Sequence, residues 1–305
     1  MTENETNTIS RRALLLFCKP PVPGMVKTRL TKERGGNLTA EQAADFFRCS
    51  LLDVTDLGLL ALDDLESSDA LSWIGAEATA DTPKKSYDFF ISSTAPESLQ
   101  LLQEMYAADW GDAPPTRQLN YIVDRGTSFD EHFDDAFNQI FERGYEQVVA
   151  IGGDMPLLPR EHIPEAFGWL DYLSDLSADG SALVLAPCQQ SGVSLVGLTR
   201  TTPINSTGVY YNRSGLPVLD AYTAKLQEVD VPSAFLAPVS DVDGDEDLAH
   251  AISCLNAIAE AQRYQPRIYL AVRTLDWIDR MNLKASAPPN DEHDPRQYLD
   301  GQEPD

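Results

Sequence analysis

Short apolar runs recur along this chain, at residues 13–17, 87–91, 119–123, 148–151, 182–186 and 193–198, with a last one at 234–239. Between them the apolar residues fall at helical spacing. Ala43, Phe46, Phe47, Ser50, Leu51 and Val54 share one helical face, as do Leu99, Leu102 and Met105, and also Phe133, Phe137, Ile140 and Phe141. Strand-sized runs alternating with helical segments predict an α/β fold with a mainly parallel sheet, because parallel strands need a crossover that a helix supplies. The run at 148–151 is apolar throughout and so predicts a central strand. Start signals agree with this reading. Thr39 with Gln42, and Ser128 with Glu131, have the spacing of capping boxes, and Pro96 suits a first helical position. A helix is predicted over 246–262, followed by an amphipathic segment at 268–281 that suits packing on its own chain or on a second copy. Residues 67–85 and 199–215 read as irregular, the usual place for substrate loops.

The chain has 305 residues, enough for one large domain. The polar 1–10 and the Pro-, Asp- and Glu-rich 285–305 read as disordered tails around a single domain at 11–284. Acids outnumber bases by 48 to 23, a net charge of −25. A phosphate backbone or an anionic membrane surface would be repelled nearly everywhere, so neither is an expected partner. No stretch approaches the roughly 18 apolar residues of a membrane span. The first ten residues lack the cationic-then-apolar order of a signal peptide, so a cytoplasmic location is expected. The four cysteines lie far apart and read as reduced, buried small hydrophobes. The four histidines show no metal-ligand spacing.

In so acidic a chain, one loop stands out. The first apolar run ends abruptly in Cys18-Lys19-Pro20-Pro21-Val22-Pro23-Gly24-Met25-Val26-Lys27-Thr28-Arg29-Leu30. Lys19, Lys27 and Arg29 crowd the end of a strand, and the simplest reason is a site for phosphate oxygens: Arg offers a planar fork and Lys a point charge. A second signal is Ile151-Gly152-Gly153-Asp154-Met155-Pro156. Ligands of open α/β sheets bind beyond the carboxyl ends of strands. An aspartate there, after glycines that permit close backbone approach, suits a Mg²⁺ ion carried by a diphosphate. It equally suits a turn before Pro156. The third signal is Asp241-Val242-Asp243-Gly244-Asp245-Glu246-Asp247. Alternate residues of an extended segment face the same way, so Asp241 and Asp243 point together, with Asp243 preferred as a second metal-facing carboxylate. Asp245 to Asp247 read as helix-start acids. Arg125, after the third run, is a weaker candidate for a nucleotide or sugar contact. Neither GxxxxGK[ST] nor GxGxxG is present, which excludes the Walker-type and dinucleotide-binding readings.

These residues resemble a family. Phe17-x-Lys19-x-Pro21-x-Pro23-Gly24-x-Val26-Lys27-Thr28-Arg29-Leu30 is similar to the opening motif of radical-SAM-associated, or arsenosugar-biosynthesis-type, glycosyltransferases of the nucleotide-diphospho-sugar transferase superfamily. The resemblance continues through Arg125-Gly126, Ile151 to Pro156 and Asp241 to Leu248, and so covers most of the chain. It implies a single Rossmann-like GT-A domain with a C-terminal helix. It also implies a nucleotide pocket on the first half of the sheet, Mg²⁺ or Mn²⁺ at Asp154 and a small-molecule acceptor over the second half. The 2-phospholactate guanylyltransferase shares a similar opening. The chain departs from the family at Gln190-Ser191, where an Asp-Gly pair is usual, and at Glu131-His132, where Glu-Arg is usual.

The expectation is therefore a metal-dependent transferase that binds a nucleotide sugar or an NTP. Lys27 and Arg29 act on the phosphates in catalysis, and Lys19, Gly24, Arg125 and Gly153 help to hold the nucleotide. Asp154 and Asp243 carry the metal. Glycosyl transfer is preferred over nucleotidyl transfer, and a degenerate nucleotide-binding protein without activity is the third alternative. Both Lys27 and Arg29 are expected to face solvent.

Overall fold

A computed structural model describes residues 9–77 and 84–287. The expected tails lie outside the described residues up to residue 8 and from residue 288. The strands are β1 (Ser10–Phe17), β2 (Lys85–Ser93), β3 (Leu119–Val123), β4 (Gln147–Ile151), β5 (Leu183–Pro187), β6 (Val193–Thr199) and β7 (Ser233–Phe235). The helices are α1 (Ala40–Ser67), α2 (Pro96–Trp110), α3 (Phe129–Glu142), α4 (His162–Leu176), α5 (Val218–Glu228), α6 (Asp245–Ala261) and α7 (Val272–Arg280). One sheet runs in the order β3-β2-β1-β4-β6-β5-β7. Every pairing is parallel except those of β6, which runs antiparallel to both β4 and β5. A helix joins the parallel neighbours, whereas only residues 188–192 join β5 to β6, a connection short enough for an antiparallel pair alone.

The period-2 alternation of the strands sorts the core onto two faces. Leu14, Leu16, Phe89, Ile91, Val149 and Ile151 pack under α1, α2 and α4. Ala13, Leu15, Phe90, Val148 and Ala150 pack under α3 and α5. All five residues of β4 are buried, as its unbroken apolar run predicts. Both bonds of the Thr39 capping box form: Gln42 N donates to Thr39 Oγ1 at 3.2 Å, and Thr39 N donates to Gln42 Oε1 at 2.8 Å. At Ser128 the box is half made. Glu131 N donates to Ser128 Oγ, but the Glu131 carboxylate accepts from Thr127 N and Oγ1 instead.

The sequence reading assigned no element to α4 or α5. In α4, Pro164 and Gly168 mask a helical pattern whose apolar residues are not confined to one stripe. Gly168 is there for packing: a Cβ on it would sit 2.4 Å from Ala70 O, in the short turn that α4 covers. The last strand is shorter than the run at 234–239. After Phe235 the chain keeps contact with β5 by single bonds, Leu236 N to Leu185 O and Val239 N to Pro187 O, both 2.9 Å.

The amphipathic segment near the C-terminus packs on its own chain. Trp277 of α7 is 1% exposed and meets Phe46 of α1 edge-on at 5.2 Å between ring centroids. Beneath it Asp53 of α1 is fully buried. Its Oδ2 accepts from Thr274 N and Oγ1, each at 2.8 Å, and its Oδ1 accepts from Arg273 N at 3.2 Å. Tyr269 donates to the Asp53 carbonyl at 2.6 Å.

A second buried ionic group ties the opposite ends of the strands together. Arg12 of β1 donates Nη1 to Asp171 Oδ2 of α4 at 2.7 Å, and Lys85 of β2 reaches the same oxygen at 2.8 Å. Gln147 of β4 donates to Asp171 Oδ1 at 2.9 Å. Burial works against the charge on Asp171, but Arg12 and then Lys85 outweigh it and hold the carboxyl below its ordinary range.

Candidate functional site

The carboxyl ends of β1 and β4, the start of β6 and the segment after β7 open on one cavity of about 1030 Å³. Beyond β1 the proline-rich loop carries Lys19, Met25, Val26 and Lys27 into its wall. Beyond β4 come Gly152, Gly153 and Asp154. The segment after β7 is fastened to this turn by one backbone bond, from Val242 N to Asp154 O at 3.0 Å. Val242 is itself fully buried, so Asp241 and Asp243 on either side of it turn together toward Asp154. One carboxylate oxygen from each of Asp154, Asp241 and Asp243 lies within 4.8 Å of the others.

Lys27 completes the group. Its Nζ donates to Asp154 Oδ2 at 2.6 Å and to Asp243 Oδ1 at 2.8 Å. The side chain is only 6% exposed, which corrects the expectation that it faces solvent. The reason is backbone: Lys27 takes a left-handed conformation, with φ of 47°, just before the short helical turn Thr28–Leu30, and this turns its stem inward past the Phe47 ring. A non-glycine residue held there stores strain that the surrounding contacts must offset. Arg29, two thirds exposed, does face solvent and donates Nη1 to Asp243 Oδ2 at 3.0 Å.

The electrostatics follow from this crowding. Burial opposes the Lys27 charge, yet Asp154 and Asp243 outweigh it and keep the ammonium protonated far above its ordinary range. Burial likewise opposes the Asp243 charge, and Lys27 and Arg29 outweigh it and hold that carboxyl below its usual value. Asp241 has no such partner. Burial, then Asp154 and Asp243, push its pKa up to about 6. Asp247 serves the helix: its Oδ2 accepts from Asp243 N and Gly244 N, which fixes the start of α6.

The remaining predicted residues are spread more widely. Lys19 and Gly153 line the cavity. Gly153 also has a packing role, since a Cβ on it would lie 2.4 Å from Leu51 Cδ1 of α1, and its carbonyl accepts from Ser50 Oγ at 2.9 Å. Gly153→Ala is therefore expected to cost about 1–3 kcal/mol, as overpacking does, and to weaken metal binding by shifting Asp154. Parallel urea melts and Mn²⁺ titrations check both effects. Gly24 sits in the loop at φ of 77° but does not line the cavity. Arg125 departs from its expected place. It is largely exposed and holds Asp135 of α3, with Nη2 to Oδ1 at 2.9 Å. The residue before it, Asp124, is the one that faces the cavity.

Asp124 is 1% exposed. It accepts from Ser92 Oγ at 2.6 Å and pairs with His132 Nδ1 at 2.7 Å. Burial raises its pKa against those two bonds. The signal at Asp124-Arg125-Gly126 gives the contact to Arg125, whereas its neighbour Asp124 takes the place in the wall, and the sequence assigns no site role to His132. Sequence reading missed an aromatic wall formed by Phe129 and Phe133 of α3 with Tyr210 and Tyr211 of the loop after β6. Adjacent tyrosines in an otherwise irregular polar stretch were the available signal. The Gln190-Ser191 departure has a structural counterpart. Both residues adopt positive φ, 57° and 58°, so the turn between β5 and β6 takes a glycine-like backbone path without glycine there, at a cost of roughly 1–2 kcal/mol per residue. Of the cysteines, Cys49 is buried and the other three are half-buried; all four are free.

A mostly parallel α/β sheet of this order holds its charged groups beyond the carboxyl ends of the parallel strands, where open α/β sheets bind their ligands. Residues 94–212 match a family described as an uncharacterized protein conserved in bacteria (DUF2064). None of the curated proteins matches the sequence. Among solved structures, a candidate nucleotide-diphospho-sugar transferase from Desulfovibrio desulfuricans G20 is similar, with 21% identity and a TM-score of 0.61 over 90% of this chain and 96% of that one. This likeness is one of fold. A cytidylyltransferase from Leptospira borgpetersenii serovar Hardjo-bovis matches at 10% identity and a TM-score of 0.41, over 90% of this chain and 96% of its own. Among the described residues no helix is long and apolar enough to cross a membrane.

Proposed function

We propose that residues 11–284 form a metal-dependent glycosyltransferase domain that binds a nucleoside diphosphate sugar and passes the glycosyl group to a small acceptor. One observation carries this reading: Lys27 and Arg29 converge with Asp154, Asp241 and Asp243 at one end of a cavity large enough for both substrates. Three hard carboxylate oxygens suit Mg²⁺ or Mn²⁺, with Asp154 and Asp243 as the principal ligands and Asp241 beside them. Such an ion, when bound, neutralises the diphosphate and polarises its oxygens.

The chain's own residues account for the rest. Lys27 is held rigidly enough to stabilise the charge that develops on the leaving diphosphate, and Arg29 closes over it from the solvent side. Lys19 and the Gly153 backbone contact the nucleotide; Gly24 shapes the loop, and Arg125 stands outside the wall. In the transfer the acceptor oxygen bonds to the anomeric carbon as the bond from that carbon to the diphosphate oxygen breaks. The electron pair leaves with the nucleoside diphosphate, and the acceptor proton passes to water. Four free cysteines fit action in the reducing cytoplasm.

Calorimetry with UDP, GDP and CDP, each with Mg²⁺ or Mn²⁺, tests the nucleotide. Asp154→Asn is expected to weaken metal-dependent binding of the preferred nucleotide on the order of 10-fold or more, while metal-independent binding changes little. Nucleotide-sugar hydrolysis measured against pyrophosphate release from NTPs separates glycosyl from nucleotidyl transfer. Failure of every nucleotide to bind at high micromolar concentration defeats the proposal.

A further inference from the structure

The cavity is electrically lopsided. Its described lining holds two lysines, Lys19 and Lys27, and one histidine, His132, against four aspartates, Asp124, Asp154, Asp241 and Asp243. Lys27 is already committed to two of those carboxylates. Arg29 is held at the same end by Asp243, and Arg125 is held outside by Asp135. Both lining lysines therefore stand on the β1 loop, where the diphosphate is proposed to lie, and the lining His132 of α3 has its Nδ1 engaged by Asp124 at 2.7 Å.

The end toward β6 is of another kind. Phe17, Phe129, Phe133, Val193, Tyr210 and Tyr211 form its wall. This wall is assembled by α3. Asp130 accepts from Gly208 N at 2.7 Å and from Tyr210 N at 2.9 Å, and both oxygens of Asp134 accept from Ser206 N, at 2.9 and 3.0 Å. The loop after β6 is thus clamped to the start of α3 by four carboxylate oxygens that have no other described role. The clamp sets Tyr210 4.8 Å and Tyr211 5.6 Å from Phe129, centroid to centroid. Tyr210 is pinned further by its hydroxyl on Tyr222, at 3.1 Å. Tyr211, in contrast, is 83% exposed and held at φ of 49°. An exposed ring fixed in a strained backbone conformation beside a cavity is a preorganised contact surface.

We infer that the aromatic end is the acceptor subsite and that it takes an uncharged hydroxylated molecule with a flat apolar face, not a phosphorylated one. The inference rests on the glycosyltransferase reading and narrows it to an acceptor class. A dianionic phosphate placed there would face no lining lysine or arginine, only His132 already paired with Asp124, and would lie in the field of the carboxylates at the other end. A sugar ring or an aryl group, in contrast, gains contact area on rings that lose little freedom on binding. The same asymmetry weighs against nucleotidyl transfer onto a phosphorylated acceptor, since the substrates would then bring two phosphate groups to one set of cations.

Saturation-transfer NMR on the full chain tests this without any nucleotide. The probes are phenyl β-glucoside, methyl β-glucoside, glucose 6-phosphate and phenyl phosphate, each at millimolar concentration. Phenyl β-glucoside is expected to bind, and Tyr211→Ala to weaken it roughly fivefold to tenfold, with Tyr211→Phe near wild type. The two neutral probes separate an aryl face from a sugar face, and binding of either supports the subsite. The inference is overturned by phosphorylated probes that bind as tightly as the neutral ones, by an unchanged affinity in a folded Tyr211→Ala protein, or by no binding of either neutral probe. A failed nucleotide titration beside intact, Tyr211-dependent binding would instead defeat the glycosyltransferase reading alone, so the two failures are distinguishable.

Discussion

On the proposed function, Lys27→Ala is expected to lower turnover on the order of 100-fold or more while making the protein bind a divalent ion more readily. The two effects have one cause. In the resting protein the ammonium bridges Asp154 and Asp243 from 2.6 and 2.8 Å, so it competes with any cation for the same oxygens. Its removal leaves Asp154, Asp241 and Asp243 crowded together with only Arg29 in contact, and Arg29 is largely exposed and screened. The metal-free variant should therefore melt a few degrees below wild type. Added Mg²⁺ or Mn²⁺ should raise its melting temperature by more than it raises that of wild type. Chemistry nevertheless suffers, because a mobile or solvated cation does not replace a charge fixed in place before the transition state forms. Differential scanning fluorimetry with and without Mn²⁺, beside steady-state turnover, reads both quantities. A variant with wild-type turnover, or one that gains no extra stabilisation from the ion, would remove Lys27 from the phosphate site.

The largest effect on stability is expected far from the cavity, at Asp171→Ala. Asp171 is the common partner of Arg12, Lys85 and Gln147, with side chains of Arg12 and Lys85 only 5% and 8% exposed. Lys85 keeps Asp69 as a second partner, whereas Arg12 loses its carboxylate altogether. Removing one member of such a buried group leaves an uncompensated charge, for a loss of about 3–5 kcal/mol. Urea denaturation measures it directly, and turnover per folded molecule should be unchanged. The pH dependence has a definite sign. Asp171 has a folded pKa below its ordinary 3.8, so its contribution is fully present above that value and is lost as pH falls through the folded pKa. The gap between wild type and variant should accordingly shrink below about pH 4. A gap that widens in acid, or a loss under 1 kcal/mol, would show that the charges are not coupled as the contacts imply.

How far the sequence leads depends on how local the physics is. The strands at 119–123 and 148–151 are local facts, set by apolar runs between breakers, and they lie within a residue of where they were expected. The Thr39 box is equally local. Asp241 and Asp243 were paired by the alternation of an extended segment, and the oxygens they offer do meet. The inward turn of Lys27 was not legible, because a left-handed residue that is neither glycine nor asparagine leaves no mark in composition. The aromatic wall was not legible either, since it joins Phe129 to Tyr210 through Asp130 contacts spanning 78 and 80 residues. Helix α4 was hidden by its own success at burial: nine of its 15 residues are buried, so no polar stripe marks its period.

Asp53 bears on how the molecule comes into being. It is the deepest carboxylate of α1, and its partners Arg273 and Thr274 lie 220 and 221 residues downstream. During synthesis α1 emerges long before α7, so this acid stays without its bonds until almost the whole domain has left the ribosome. The same helix brings Ser50 and Leu51 against Gly153, beside the carboxylate turn. The cavity's geometry is thus completed only once α7 has been made, and a nascent chain that holds β1 to β6 but not α7 carries an unfinished site.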